Sequence, residues 1–114
     1  MTAPALQVRA DIHDVRATLA LDGELDLDGT QALRAALAEC FAAHPQLLVL
    51  DLWDLRFCDC AGLNVLLEAR ITGRERGVDV LVEGVRPQVA RLFTLARVDM
   101  EFAADARRVP PRIV

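Results

Sequence analysis

Between Leu47 and Leu67 the chain runs LLVLDLWDLRFCDCAGLNVLL, two kinds of apolar spacing set back to back. Leu47, Leu48, Val49, Leu50 and Leu52 form a near-continuous apolar run, the pattern of a strand covered on both faces. A short turn is expected from Trp53 onward, after which Ala61-Gly62-Leu63 opens a segment with helical spacing. Cys58, Asp59 and Cys60 therefore fall where a strand hands over to a helix. The first N–H groups of a helix have no intrahelical acceptor, and its dipole is positive there, so the corner favours anionic groups.

The segments on either side complete an alternating order. Leu6, Val8, Ala10 and Ile12, then Val15, Ala17, Leu19 and Leu21, alternate with polar residues and predict two half-buried strands joined at His13-Asp14. Asp28, with Gln31 three residues on, reads as a helix N-cap. Leu33, Ala36, Leu37, Cys40 and Phe41 then trace one helical stripe, which His44-Pro45 ends. The helix after the corner is expected to bury Leu63, Leu66, Leu67 and Ile71 and to loosen or close at Gly73 and Gly77. Val78, Val80, Leu81 and Val82 predict a further strand, and Pro87 the first turn of a third helix carrying Val89, Leu92, Phe93 and Ala96. Met100-Glu101-Phe102 reads as a short edge strand. Residues 104–114 lack periodicity and are expected to form a loose tail behind a domain spanning 5–103. The order β-β-α-β-α-β-α-β implies an α/β fold: a mostly parallel central sheet begun by an antiparallel hairpin, with about three crossover helices packed against it.

Composition narrows the chemistry. At 114 residues there is room for one core, and 54% hydrophobic with 26% charged residues is ordinary for a globular domain. A formal charge of −4 argues against nucleic acid as a partner, which calls for a basic patch. No apolar run reaches the roughly 18 residues of a membrane span, and MTAPALQVRADIHD lacks the pattern of a secretion signal. The three cysteines show no zinc-ligand spacing and are expected to be reduced thiols in a cytoplasm, with no metal or cofactor. The chain contains no serine, no tyrosine and no lysine. Lysine's absence removes Schiff-base chemistry and phosphate-loop chemistry of the Walker type.

The ordered set of segments resembles the STAS domain family, and within it the single-domain bacterial anti-sigma factor antagonists. The residues that carry the resemblance are Gly23-Glu24-Leu25-Asp26 after the second strand, VLDLWDLRFCDCAGLNVLLEAR from Val49, and GVRPQVARLFTLARVDMEF from Gly84. It extends from Leu6 to Phe102. The family's corner reads Asp-Ser-Ser/Thr/Ala-Gly-Leu, which here is Asp59-Cys60-Ala61-Gly62-Leu63. The resemblance implies a non-enzymatic module that docks on an anti-sigma factor of the histidine-kinase-like ATPase type and regulates transcription by partner switching. In such proteins the partner phosphorylates the first serine of the corner, and the modified form lets go. Phosphorylation there adds about −1.5 to −2 charges at the contact surface. Here Cys60 occupies the serine's place, so the phospho-release step is expected to be missing. Thr2, Thr18, Thr30, Thr72 and Thr94 lie elsewhere in the chain. The implied partner-binding residues are Asp26, Asp59, Cys60, Ala61, Gly62, Leu63, Asn64 and Leu67. The family usually carries a last helix after the final strand, and ARRVPPRIV is not expected to form one.

Each of these residues also has a plainer role. Asp59 and Asp26 serve equally as helix cap and turn residue, and Gly62 as a site of close backbone approach. Cys60 is either a reactive thiol or a small stand-in for serine. Cys40 is assigned to the core. Trp53 either anchors a surface contact or closes the core. Arg70, Arg74 and Arg76 form an outer helix face, and His13 and His44 sit in turns. Two other functions remain open: an accessory subunit of a bacterial lipid transporter, which lone STAS domains also resemble, and a redox sensor using Cys60.

Overall fold

The computed structural model describes residues 5–96. The apolar run starting at Leu47 is the third strand of a sheet that has four strands among the described residues, in the order β1-β2-β3-β4, which follows the chain. β1 (Leu6–His13) and β2 (Arg16–Leu25) form the antiparallel hairpin; β3 (Leu47–Cys58) and β4 (Asp79–Glu83) add in parallel. α1 (Thr30–Ala42) links β2 to β3, α2 (Cys60–Arg76) links β3 to β4, and α3 (Pro87–Leu95) follows. Because the strand order never reverses, both crossovers advance the sheet in one direction, and connections of the same hand, right-handed by rule, leave α1 and α2 on one face, where they pack together. The α/β architecture is thus the one expected. The strand at Met100-Glu101-Phe102, the domain limit at 103 and the tail 104–114 lie outside the described residues.

Alternation builds the core. Ala17, Leu19, Leu21 and Leu25 of β2 face Leu33, Leu37, Cys40 and Phe41 of α1, and all are buried. Leu48 and Leu50 pair with Ala17 and Leu19 on one side and with Val80 and Val82 on the other, extending the same face. Val49 and Leu81, paired on the opposite face, are also buried, so β3 is covered on both sides as its composition requires.

Four expectations need correction. β3 does not stop near Trp53 but continues through Cys58. Irregular pairing with β2, between Ala20 and Asp22 and again between Gly23 and Glu24, breaks the period-two pattern by which the extension would be read. The first helix is not capped by Asp28. Asp26 instead accepts from the N–H groups of Asp28 (3.1 Å) and Gly29 (3.3 Å), closing a single 3-10 turn at Leu27–Gly29. α1 begins only after it, with Gly29 in the cap position and no side-chain cap.

Ile71 is 56% exposed, not buried. The inner stripe of α2 runs through Leu66, Ala69 and Gly73, and two residues beyond Ala69 at about 100° each faces away. A Cβ at Gly73 would lie 2.5 Å from Val80 Cγ2 and 2.7 Å from Val78 O, so this glycine lets the helix sit close to β4. Gly77 closes the helix in the left-handed conformation, with φ 72°. Finally, Arg70 is half-buried, while Arg74 and Arg76 are exposed as expected.

Candidate partner-binding site

β2 and β3 end side by side, Leu25 paired with Cys58, and each is followed by an aspartate. Asp59 ties the corner together. Its N–H donates to Leu25 O (3.1 Å), its carboxylate accepts from Gly62 N–H (2.9 Å), and its carbonyl accepts from Leu63 N–H (2.9 Å). It is therefore the N-cap of α2 in extended conformation. Asp26 does the same for the neighbouring 3-10 turn. Both carboxylates are half-buried at the surface of the corner, their orientation set by backbone donors.

Cys60 is the first residue of α2 and is exposed. Cys58, two residues earlier, is buried, and its thiol donates to Asp59 O at 3.4 Å. Burial pushes the Cys58 thiol up to about 12, with the Asp59 carboxylate and Cys60 adding to the effect. Cys40 is buried in the core as expected, and its thiol is raised by desolvation and by Glu39. Reactive-thiol chemistry at this corner therefore falls to Cys60.

Two of the eight expected contact residues are not on the surface. Leu63 is 3% exposed, within the core between helix and sheet. Gly62 is also buried: a Cβ there would come 2.5 Å from Leu25 Cγ and 3.0 Å from Leu25 O. Both shape the corner by packing, because the first turn of α2 must sit against the end of β2. Ala61 is half-buried. The outward residues of α2 are Cys60, Asn64, Leu67 and Ile71, spaced i, i+4, i+7 and i+11, with Leu67 half-buried and the others exposed.

Leu27 joins this surface at 70% exposure, carried by the 3-10 turn, which packs against α2. Sequence reasoning missed Leu27 and Ile71. The available signal was an apolar residue set between Asp26 and Asp28, and one lying off the helix's inner stripe. Trp53 lies mid-strand and half-buried; its carbonyl accepts from Arg86 Nε, and Gly84 packs on its ring.

Alongside, α1 and α2 enclose a cleft of about 230 Å³, floored by Leu37, Val65 and Ala69. The Arg34–Glu68 ion pair (3.0 Å) and Arg76 over the Phe41 ring (5.7 Å) bridge the two helices there. Among the described residues no group of three or more His, Cys, Asp or Glu side chains is placed to hold a metal ion. No described helix is long and apolar enough to cross a membrane.

A family model described as "Mlab, STAS domain" matches residues 8–104, almost the whole chain. The chain belongs to the STAS domain family. The anti-sigma-F factor antagonist RsfB of Mycobacterium tuberculosis is 37% identical to this STAS domain over 67 residues, 58% of the chain. The match spans 55% of that relative's length, so the chain covers about half of the curated relatives it resembles. The crystal structure of an anti-sigma factor antagonist from Mycobacterium paratuberculosis superposes with a TM-score of 0.72 at 29% identity, over 90% of this chain and 87% of that one. SpoIIAA in its unphosphorylated form shares the fold at a TM-score of 0.73 and 17% identity, over 90% and 96% of the two chains.

Proposed function

We propose that this STAS domain is a non-enzymatic anti-sigma factor antagonist that works in the cytoplasm by docking on an anti-sigma factor of the histidine-kinase-like ATPase type. Relatives carrying the antagonist name, one of them alike over nine-tenths of this chain, support the reading. The docking surface is the outward side of the corner: Asp26, Leu27, Asp59, Cys60, Asn64, Leu67 and Ile71. The observation that carries the proposal is Cys60, exposed at the first position of α2 beside its aspartate cap, in a chain without serine. A docking corner of this kind with a thiol in place of the hydroxyl engages its partner without being released by phosphorylation at that position.

The test is calorimetric titration of the cognate anti-sigma factor with the full chain, before and after incubation with ATP, alongside intact-mass analysis. Binding that persists, with no phosphate added to the antagonist, is the expected result. Absence of binding would overturn the antagonist role. A phosphorylated product would overturn the claim about Cys60.

A further inference from the structure

Among the described residues β1 is an edge strand with β2 as its neighbour, and its backbone pairing can be assigned residue by residue. Glu24 N–H donates to Ala5 O at 2.9 Å, in the same register that pairs Gln7 with Asp22, Arg9 with Ala20, Asp11 with Thr18 and His13 with Arg16. In an antiparallel ladder, pairs that exchange hydrogen bonds alternate with pairs that do not. The odd-numbered residues of β1 therefore bond to β2, while Val8, Ala10 and Ile12 point their N–H and C=O groups outward. Their side chains lie on the helix-covered face, but at this end the cover is thin: Ala10 is exposed, and Ile12 is 38% exposed. Arg9, Asp11 and His13 are exposed on the other face.

An outward row of unpaired backbone groups is a template for another strand. The charges on this one select both the partner and the register. We propose that β1 pairs antiparallel with β1 of a second copy, about a twofold axis at Ala10, to make one sheet continuous across both copies. In that register Ala10 faces Ala10 and Val8 faces Ile12, all through their outward backbone groups, and Arg9 of each copy faces Asp11 of the other. Moving the axis by one residue sets Arg9 against Arg9 or Asp11 against Asp11, and like charges directly opposite are destabilising. The register centred on Ala10 is self-complementary, which a twofold interface requires. Because the axis stands perpendicular to the sheet, the two α2 corners face opposite ways. Both stay free, so the dimer is independent of the docking role proposed above.

Sedimentation velocity of the full chain over a concentration series tests this. The wild type is expected to pass from monomer to dimer at micromolar concentrations. Ala10→Pro removes an N–H that does not serve the β1–β2 ladder, and proline is tolerated where an edge strand's N–H faces outward. That variant is expected to stay monomeric with an unchanged circular dichroism spectrum. Arg9→Asp alone and Asp11→Arg alone each create two like-charge pairs across the axis and should weaken the dimer roughly tenfold. The double exchange of Arg9→Asp with Asp11→Arg restores opposite charges and should recover it. Should Ala10→Pro fail to fold, the charge series decides. A monomeric wild type, a dimer indifferent to Ala10→Pro, or a double exchange that does not recover would each overturn the proposal.

Discussion

Cys58 and Cys60 are two residues apart and differ in their access to solvent. The first is 7% exposed with its thiol pushed up to about 12; the second opens a helix at the surface. Selective alkylation follows. Iodoacetamide at neutral pH should label Cys60 in the folded chain and leave Cys40 and Cys58 unlabelled until denaturant is added, as peptide mass mapping will show. Labelling of Cys58 at a comparable rate would mean that the β3–α2 corner opens readily. Cys60→Ser restores a hydroxyl at an exposed position and is expected to leave the unfolding free energy within about 0.5 kcal/mol of the wild type in chemical denaturation. Under the proposed docking role, that variant gains one phosphate from the partner kinase, keeps it, and dissociates from the kinase, as intact mass and calorimetry will show. Asp59→Ala removes the acceptor for Gly62 N–H and should cost about 1 kcal/mol in chemical denaturation, whatever the partner.

At the scale of elements, the sidedness of α2 decides what a mutation there can report. Leu63→Arg drives a charge into the core at 3% exposure, and its cost of more than about 3 kcal/mol would mask any effect on docking. Asn64→Arg, one residue on and exposed, should keep the melting temperature while weakening binding to the proposed anti-sigma factor partner. Unchanged affinity would move the contact surface off α2. The helix itself was legible because its inner residues recur at helical spacing and Asp59 precedes it as a cap. Its true inner stripe was not, because Ala69 and Gly73 carry so little side chain that Ile71 looked the better core candidate. β3 was half legible for a related reason. Val49, Leu50 and Leu52 announce a buried strand, whereas the stretch from Trp53 to Cys58 joins the ladder across two irregularities, at each of which β3 carries one more residue than β2.

Over the whole molecule, the two buried thiols couple stability to alkaline pH. Cys58 is held above its ordinary value of 9.0, to about 12, and Cys40 is raised in the same direction. Between those limits the unfolded chain loses thiol protons that the native chain keeps, so the native state binds more protons and stability falls as pH rises. The slope is on the order of 1 kcal/mol per pH unit for Cys58, beginning near pH 9. Urea denaturation across that range should show the decline, and Cys58→Ala should flatten it around a lower starting stability. A wild-type slope unaffected by the substitution would place the effect elsewhere.

The order of elements, the mixed sheet, the core face of α1 and the cap at Asp59 were already present in the linear chain, since each follows from local periodicity and local backbone chemistry. Which residues of the corner face water was not, because that depends on surfaces brought together from distant positions. Leu25 closes over Gly62 and the core takes in Leu63, while Leu27 is left outside on a turn that Asp26 closes. Exposure is a property of neighbours, and those neighbours meet only when β2 and β3 come to an end side by side.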